Sequence, residues 1–170
     1  MSAESTAGPG KPVRYAGRRV RVELLVWAAV LAAADLAVKV TAEALLSGGR
    51  IVDLGVINFR LLYNPGVAFS FGAGLPDWVI IAATGLIIAG LAWYAISSAP
   101  TMTRLSRAGA GLLLGGAAGN FIDRLDGRGV VDYLHTGWFP TFNLADIFVT
   151  TGVALFVLGA FLQPRTGTDT

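Results

Sequence analysis

Four ionisable residues stand within or beside long apolar runs of this 170-residue chain: Asp35, Lys39, Asp123 and Asp146. Placing such a group there is expensive, so each is a candidate for chemistry. Two of the aspartates sit in the same local pattern, Asn120-Phe121-Ile122-Asp123 and Asn143-Leu144-Ala145-Asp146. Residues at i and i+3 share a helix face, so two Asn-x-x-Asp pairs on facing helices can point at one another. A carboxylate pair in a chain with no cysteine and a single histidine, His135, has the composition of an aspartic hydrolase with water as nucleophile. Two carboxylates about 4 Å apart at an effective dielectric of about 20 repel by about 4 kcal/mol, so such a pair holds one proton between its members. One member then acts as base toward water, and the other hydrogen-bonds the scissile carbonyl. Which of the two holds the proton stays open, because the helix dipole and Arg124 pull in opposite directions.

Each residue also has a plainer reading. Asn143 and Asp146 suit a cap at a helix start. Asp123 and Arg124 suit a solvated pair at an interface. Asp35 and Lys39, at i and i+4, suit an ion pair within one helix that eases insertion and supports the site by packing or hydrogen bonding. Asp132 and His135 read as ordinary loop polar residues, with Asp132 able to structure the loop before the last helix. Trp78 and Trp138 fit interfacial anchors.

The elements that must position these groups follow from composition. Apolar residues make up 54% of the chain and charged residues 14%, against roughly 25% charged in a soluble domain. That excludes a soluble protein. Apolar runs at 22–40, 78–96, 108–122 and 144–162 each approach the ~20 residues that span a bilayer. The expected fold is an α-helical integral membrane protein with four transmembrane helices, both termini cytoplasmic and a small extracytoplasmic β-sheet. Residues 1–21 form a disordered cytoplasmic tail, 22–163 the membrane domain with an outward loop 41–77, and 164–170 a second cytoplasmic tail. The inward segments hold eight basic residues and the outward ones four, as the positive-inside rule requires. A cleavable signal peptide would also begin this way, but the first run continues past its small residues and carries Asp35 and Lys39 one turn apart.

The absence of cysteine excludes disulfide frameworks, thiol nucleophiles and thiolate metal sites, and one histidine excludes a His-based zinc protease. A net charge of +2, from 11 Arg and 2 Lys against 11 acidic residues, is too dispersed for nucleic-acid binding. Within the loop 41–77, Ile57, Phe59, Leu61 and Tyr63 alternate with Asn58, Arg60, Leu62 and Asn64, the pattern of a half-buried strand. Asn64-Pro65-Gly66 ends it as a turn. Gly111, Gly115 and Gly119 form a stripe that admits a neighbouring helix. The glycines at 115–119 are no phosphate loop, since no strand precedes them and no Lys-Ser/Thr follows.

Five ordered motifs resemble the lipoprotein signal peptidases, or signal peptidase II family. Asp35 to Lys39 resembles its D-x-x-x-K, and Asn64-Pro65-Gly66-Val67-Ala68-Phe69-Ser70 its N-x-G-x-A-F-S loop. Gly116 to Arg124 resembles G-x-x-G-N-x-x-D-R, Val131-Asp132-Tyr133 the V-x-D-aromatic step, and Phe142 to Asp146 F-N-x-A-D. Leu36 departs from the Gln that many members carry after the first Asp. The N-terminal tail lies outside the resemblance.

The resemblance implies a cofactor-free, metal-free membrane aspartic endopeptidase of the bacterial cytoplasmic membrane. It would cut a diacylglyceryl-prolipoprotein just before its lipidated cysteine, at the extracytoplasmic face. It matches Asp123 and Asp146 to the catalytic pair. It matches Asn64, Gly66, Asn120, Arg124 and Asn143 to positions that place substrate or the pair, with Asp35 and Lys39 in support. The expected partners are the prolipoprotein and membrane lipids, with the protein a monomer. A small proton-coupled transporter is the alternative, but it predicts charges staggered across the bilayer, whereas these cluster toward the outward ends. An assembly protein held by the glycine stripe would leave the paired Asn-x-x-Asp unexplained.

Overall fold

The structure, a computed structural model, describes residues 13–65 and 75–162, with side chains from Gly17 onward. The elements run α1 (Val13–Leu46), β1 (Ile51–Asp53), β2 (Asn58–Asn64), α2 (Asp77–Ser98), α3 (Arg104–Arg124), β3 (Val130–His135) and α4 (Leu144–Phe161). Three of the helices, α1, α2 and α4, are long and apolar enough to cross a membrane. Their large apolar side chains, among them Leu86, Trp93, Val153 and Phe161, face outward, as lipid-facing helices require. The chain is a multi-pass membrane protein.

The first helix is longer than its apolar run. Its ladder reaches back to Val13, so Arg18, Arg19 and Arg21, expected in a disordered tail, are helical. A nucleated helix extends at little cost, and arginine is a good helix former. Two of these arginines also find partners, Arg19 Nε with Glu23 one turn on at 2.8 Å and Arg21 Nε with the Ile96 carbonyl of α2 at 3.0 Å. The remainder of the two expected tails, and Gly66 with the rest of residues 66–74, lie outside the described residues.

The other helices pack around α3. Its stripe of Gly111, Gly115 and Gly119 faces α1: a Cβ on Gly115 would lie 2.7 Å from Leu31 Cβ, and one on Gly119 2.5 Å from Asp35 Oδ2. A second set lies between α3 and α4: Gly109 meets Gly152, Gly116 meets Ala145 and Phe148, and Gly159 meets Ser106. With two sides covered by helices, α3 tolerates five glycines and four charged residues at its ends, and this makes it less apolar than its neighbours. At Gly116 a Cβ would fall 2.5 Å from the Ala145 carbonyl oxygen, and backbone has no room to give. Gly116→Val is therefore expected to destabilise the protein by about 3 kcal/mol. Gly90→Val, where nothing lies within 4 Å, should leave the unfolding midpoint in detergent unchanged.

The sheet is antiparallel, in the order β1-β2-β3. The alternation expected of β2 is present: Phe59, Leu61 and Tyr63 pack with Val131 and Tyr133 against Ala42 and Leu46 at the end of α1. Opposite them in register, Tyr63 pairs with Val131 and Leu62 with Asp132, after an irregularity between Phe59 and Leu62. Successive strand residues face opposite ways, so Asp132 turns away from the core that Val131 and Tyr133 enter. Gly129 leads into β3 with φ +91°, and a side chain there would strike the Asn64 backbone.

Candidate active site

The site is built along the free edge of β3, whose backbone groups need partners. Asp123, in the last turn of α3, accepts the Val131 N–H at Oδ2 (3.1 Å), and Asn143 Nδ2 donates to the Val131 carbonyl (3.2 Å). A bridge between Leu134 and Phe142 then returns the chain to the start of α4. There Asn143 and Asp146 form a reciprocal cap: each side chain accepts the other's backbone N–H, both at 3.1 Å. The plain capping reading is correct, but the same residues reach further. Asn143 Nδ2 donates to Asp132 Oδ1 at 2.7 Å and to Asn120 Oδ1 at 3.1 Å, and Asn120 Nδ2 donates to Asp146 Oδ1 at 2.9 Å.

Lys39 anchors this network from α1. Its ammonium has three protons to donate, and three oxygens lie 2.8 Å from Nζ: Asp35 Oδ2, Asp123 Oδ2 and Asn120 Oδ1. Asp35 Oδ1 accepts the Ala145 N–H at 2.9 Å, tying α1 to α4. The expected ion pair within α1 exists, and Lys39 extends it to a carboxylate of α3. Arg124 pairs with no acid among the described residues: Nη1 donates to the Asn120 carbonyl at 2.9 Å, and its buried Nε has no hydrogen-bond partner there.

Asp132 corrects the reading of it as an ordinary loop residue. It lies in a strand, is 2% exposed, and accepts hydrogen bonds from two neutral amides, Asn64 Nδ2 at 3.1 Å and Asn143 Nδ2 at 2.7 Å. Burial, with the charge of Asp146 adding to it, pushes its carboxyl up to about 6 against the pull of those amides and of Lys39. Asp123, by contrast, has a cation on the same oxygen that takes the strand N–H. His135 stands apart, 3.3 Å from the Thr141 hydroxyl that Arg60 also contacts. No group of His, Asp or Glu among the described residues is arranged to hold a metal ion.

The family model for signal peptidase (SPase) II matches residues 27–162, and so takes in every residue of this network. The chain belongs to the signal peptidase II family. It is 35% identical to the lipoprotein signal peptidase of Rhodococcus jostii, over 91% of this chain and 78% of that one. It is 38% identical to that of Mycobacterium tuberculosis, over 92% and 80%. A bacterial membrane enzyme solved by the in meso method at 2.3 Å superposes with a TM-score of 0.73 at 24% identity, covering 87% of this chain and 93% of that one. A second, solved at 1.9 Å, gives 0.69 at 27% identity over 87% and 94%.

In this signal peptidase II, then, Asp35, Lys39, Asn64, Asn120, Asp123, Asp132, Asn143 and Asp146 form one hydrogen-bonded network, with Arg124 beside it. The raised Asp132 carboxyl sets a pH dependence whose sign can be worked out. Between its ordinary value of 3.8 and about 6, the unfolded chain releases this proton while the fold retains it. Stability contributed by Asp132 therefore falls as pH rises through that window and levels off above it, a loss of about 3 kcal/mol. Unfolding midpoints in detergent from pH 4 to 7, compared between wild type and Asp132→Asn, should show this slope only in the wild type. A slope that persists in the variant belongs to another group.

Proposed function

We propose that this protein works as an aspartic endopeptidase in which Asp132 and Asp146 are the catalytic pair, with Asp123 holding the site together. Its activity is removal of the signal peptide from prolipoproteins. The observation that carries the pairing is Asn143, whose side-chain amide donates to Asp132 while its backbone N–H donates to Asp146. One residue thus orients both carboxyls. Asp123 is engaged elsewhere, with its Oδ2 2.8 Å from the Lys39 ammonium and accepting the Val131 N–H.

Burial favours the proton on Asp132, which then hydrogen-bonds the scissile carbonyl. Asp146 takes a proton from the attacking water and passes it to the departing amine as the peptide bond breaks. Arg124 lies within electrostatic reach of both carboxyls, and its positive charge offsets the negative charge that develops on the carbonyl oxygen. Asn64 and Asn120 position the pair through Asp132 and Asp146 respectively.

The membrane arrangement follows the charge distribution. Packed between α1 and α4, α3 crosses with them as a fourth span. The α2–α3 connection, with Arg104 and Arg107 just beyond it, faces the cytoplasm together with both termini. The carboxyls and the sheet then lie at the extracytoplasmic surface of the bacterial inner membrane, where a lipid-modified cysteine presents the bond before it. No cofactor enters the chemistry, and a monomer suffices. The test is incubation of the purified protein with a diacylglyceryl-prolipoprotein and analysis of the new N-terminus. A product that begins at the lipidated cysteine, and is absent with folded Asp146→Asn, is the expected result. Undiminished cleavage by that variant would overturn the reading.

A further inference from the structure

A groove of about 680 Å³ runs between α1 and α3 at the end of the bundle opposite the carboxyls. Its walls are apolar, with Leu24, Trp27 and Leu31 from α1 and Ala108 and Leu112 from α3. Its mouth is charged. Glu23, Arg104 and Arg107 line it, and Glu23 is already neutralised by Arg19 at 2.8 Å. Arg104 and Arg107 have no ion-pair partner among the described residues, so the mouth carries an uncompensated double positive charge on an apolar slot. From Val20 to Leu31 the helix rises about 16 Å at about 1.5 Å per residue. That matches one leaflet of a hydrocarbon core about 30 Å thick.

We infer that this groove binds one anionic glycerophospholipid, with its phosphate on Arg104 and Arg107 and an acyl chain lying along Trp27, Leu31 and Leu112. Length, apolar walls and a cationic rim at the headgroup level are what a phospholipid presents in mirror image. The basic N-terminal segment, with Lys11 and Arg14, is a poor occupant because its charge repeats that of the mouth. The site is remote from the carboxyls, so the inference does not depend on which of them is catalytic.

Trp27 reports on the groove directly. The other tryptophans, Trp78, Trp93 and Trp138, are 71%, 73% and 84% exposed and can be replaced by Phe without disturbing the core. The full-length single-Trp27 protein is reconstituted in phosphatidylcholine vesicles, and its fluorescence is followed as brominated phosphatidylglycerol or brominated phosphatidylcholine is added. Half-quenching is expected at an about thirtyfold lower fraction of the phosphatidylglycerol, whose phosphate charge no choline cation cancels, at about 1 kcal/mol for each of the two arginines. That preference should vanish in Arg104→Gln/Arg107→Gln, and Ala108→Phe, which fills the slot, should weaken quenching by both lipids. Equal quenching by the two lipids would reduce the groove to ordinary lipid contact and overturn the inference, as would a preference that survives the double substitution. Quenching that emerges only after residues 1–12 are deleted, or only on dilution of a dimer, would overturn it too, by showing the slot filled from this chain or a second copy.

Discussion

Asp132→Asn is expected to fold as the wild type does and to cleave prolipoprotein about a thousandfold more slowly, the usual scale for removing a group that transfers a proton in the transition state. The substitution keeps the shape of the side chain and one acceptor for the amides of Asn64 and Asn143. It also removes a carboxyl whose burial opposes folding at neutral pH, so catalysis is lost without a matching loss of stability. Asp123→Asn should do the reverse. It takes away the anion 2.8 Å from the buried Lys39 ammonium, so the unfolding midpoint drops while measurable cleavage remains in the fraction that folds. Both variants, with kcat and unfolding midpoint measured side by side, separate the two pairings. A folded, inactive Asp123→Asn beside an active Asp132→Asn would return the catalytic role to Asp123. Under the proposed mechanism the Asp132–Asp146 pair shares one proton, so the wild-type pH profile should fall on both sides of a maximum.

The contrast between these two aspartates shows which parts of the site could be read from sequence. Asn143 and Asp146 are visible because their interaction is local, one helix turn at a helix start. Asp35 and Lys39 are visible for the same reason. Asp123 and Asp146 are linked in the sequence by the repeated Asn-x-x-Asp pattern and by the family resemblance. A shared pattern does not fix direction: Asp123 reaches toward α1 and the β3 edge, and Asn120, one turn earlier, reaches Asp146. Asp132 is hidden because its burial depends on three segments meeting, β2, β3 and the start of α4. The signal available was the run Val130-Val131-Asp132-Tyr133, in which strand alternation sends the apolar neighbours to one core and the lone acid to the other face. The same limit holds for packing. Gly111, Gly115 and Gly119 show their spacing in one helix, whereas the second contact divides its glycines between α3 and α4 at seven-residue intervals and is recognised only once the helices are seen together.

Lys39→Met should destabilise the protein strongly. The residue is 1% exposed and its ammonium is shared by Asp35, which is fully buried, and by Asp123. Methionine fills much the same volume but leaves two carboxylates facing one another with no cation, a situation that typically costs about 3–5 kcal/mol. A loss of that size is a large fraction of the stability of a domain, so the variant is expected to accumulate poorly and to unfold at a much lower temperature. Charge, not volume, is the cause. Lys39→Met/Asp35→Asn should therefore recover a substantial part of the loss, because the introduced amide keeps a carbonyl oxygen to accept the Ala145 N–H that Asp35 Oδ1 holds at 2.9 Å while one uncompensated charge is gone. The double-mutant cycle gives the coupling directly. A double variant no more stable than Lys39→Met alone would mean that the lysine acts by filling space between α1 and α3. Recovery would establish that α1 is held in place by the charge it carries, and that a helix with no carboxyl in the proposed catalytic pair, through the Lys39 that touches Asn120 and Asp123, still supports the site.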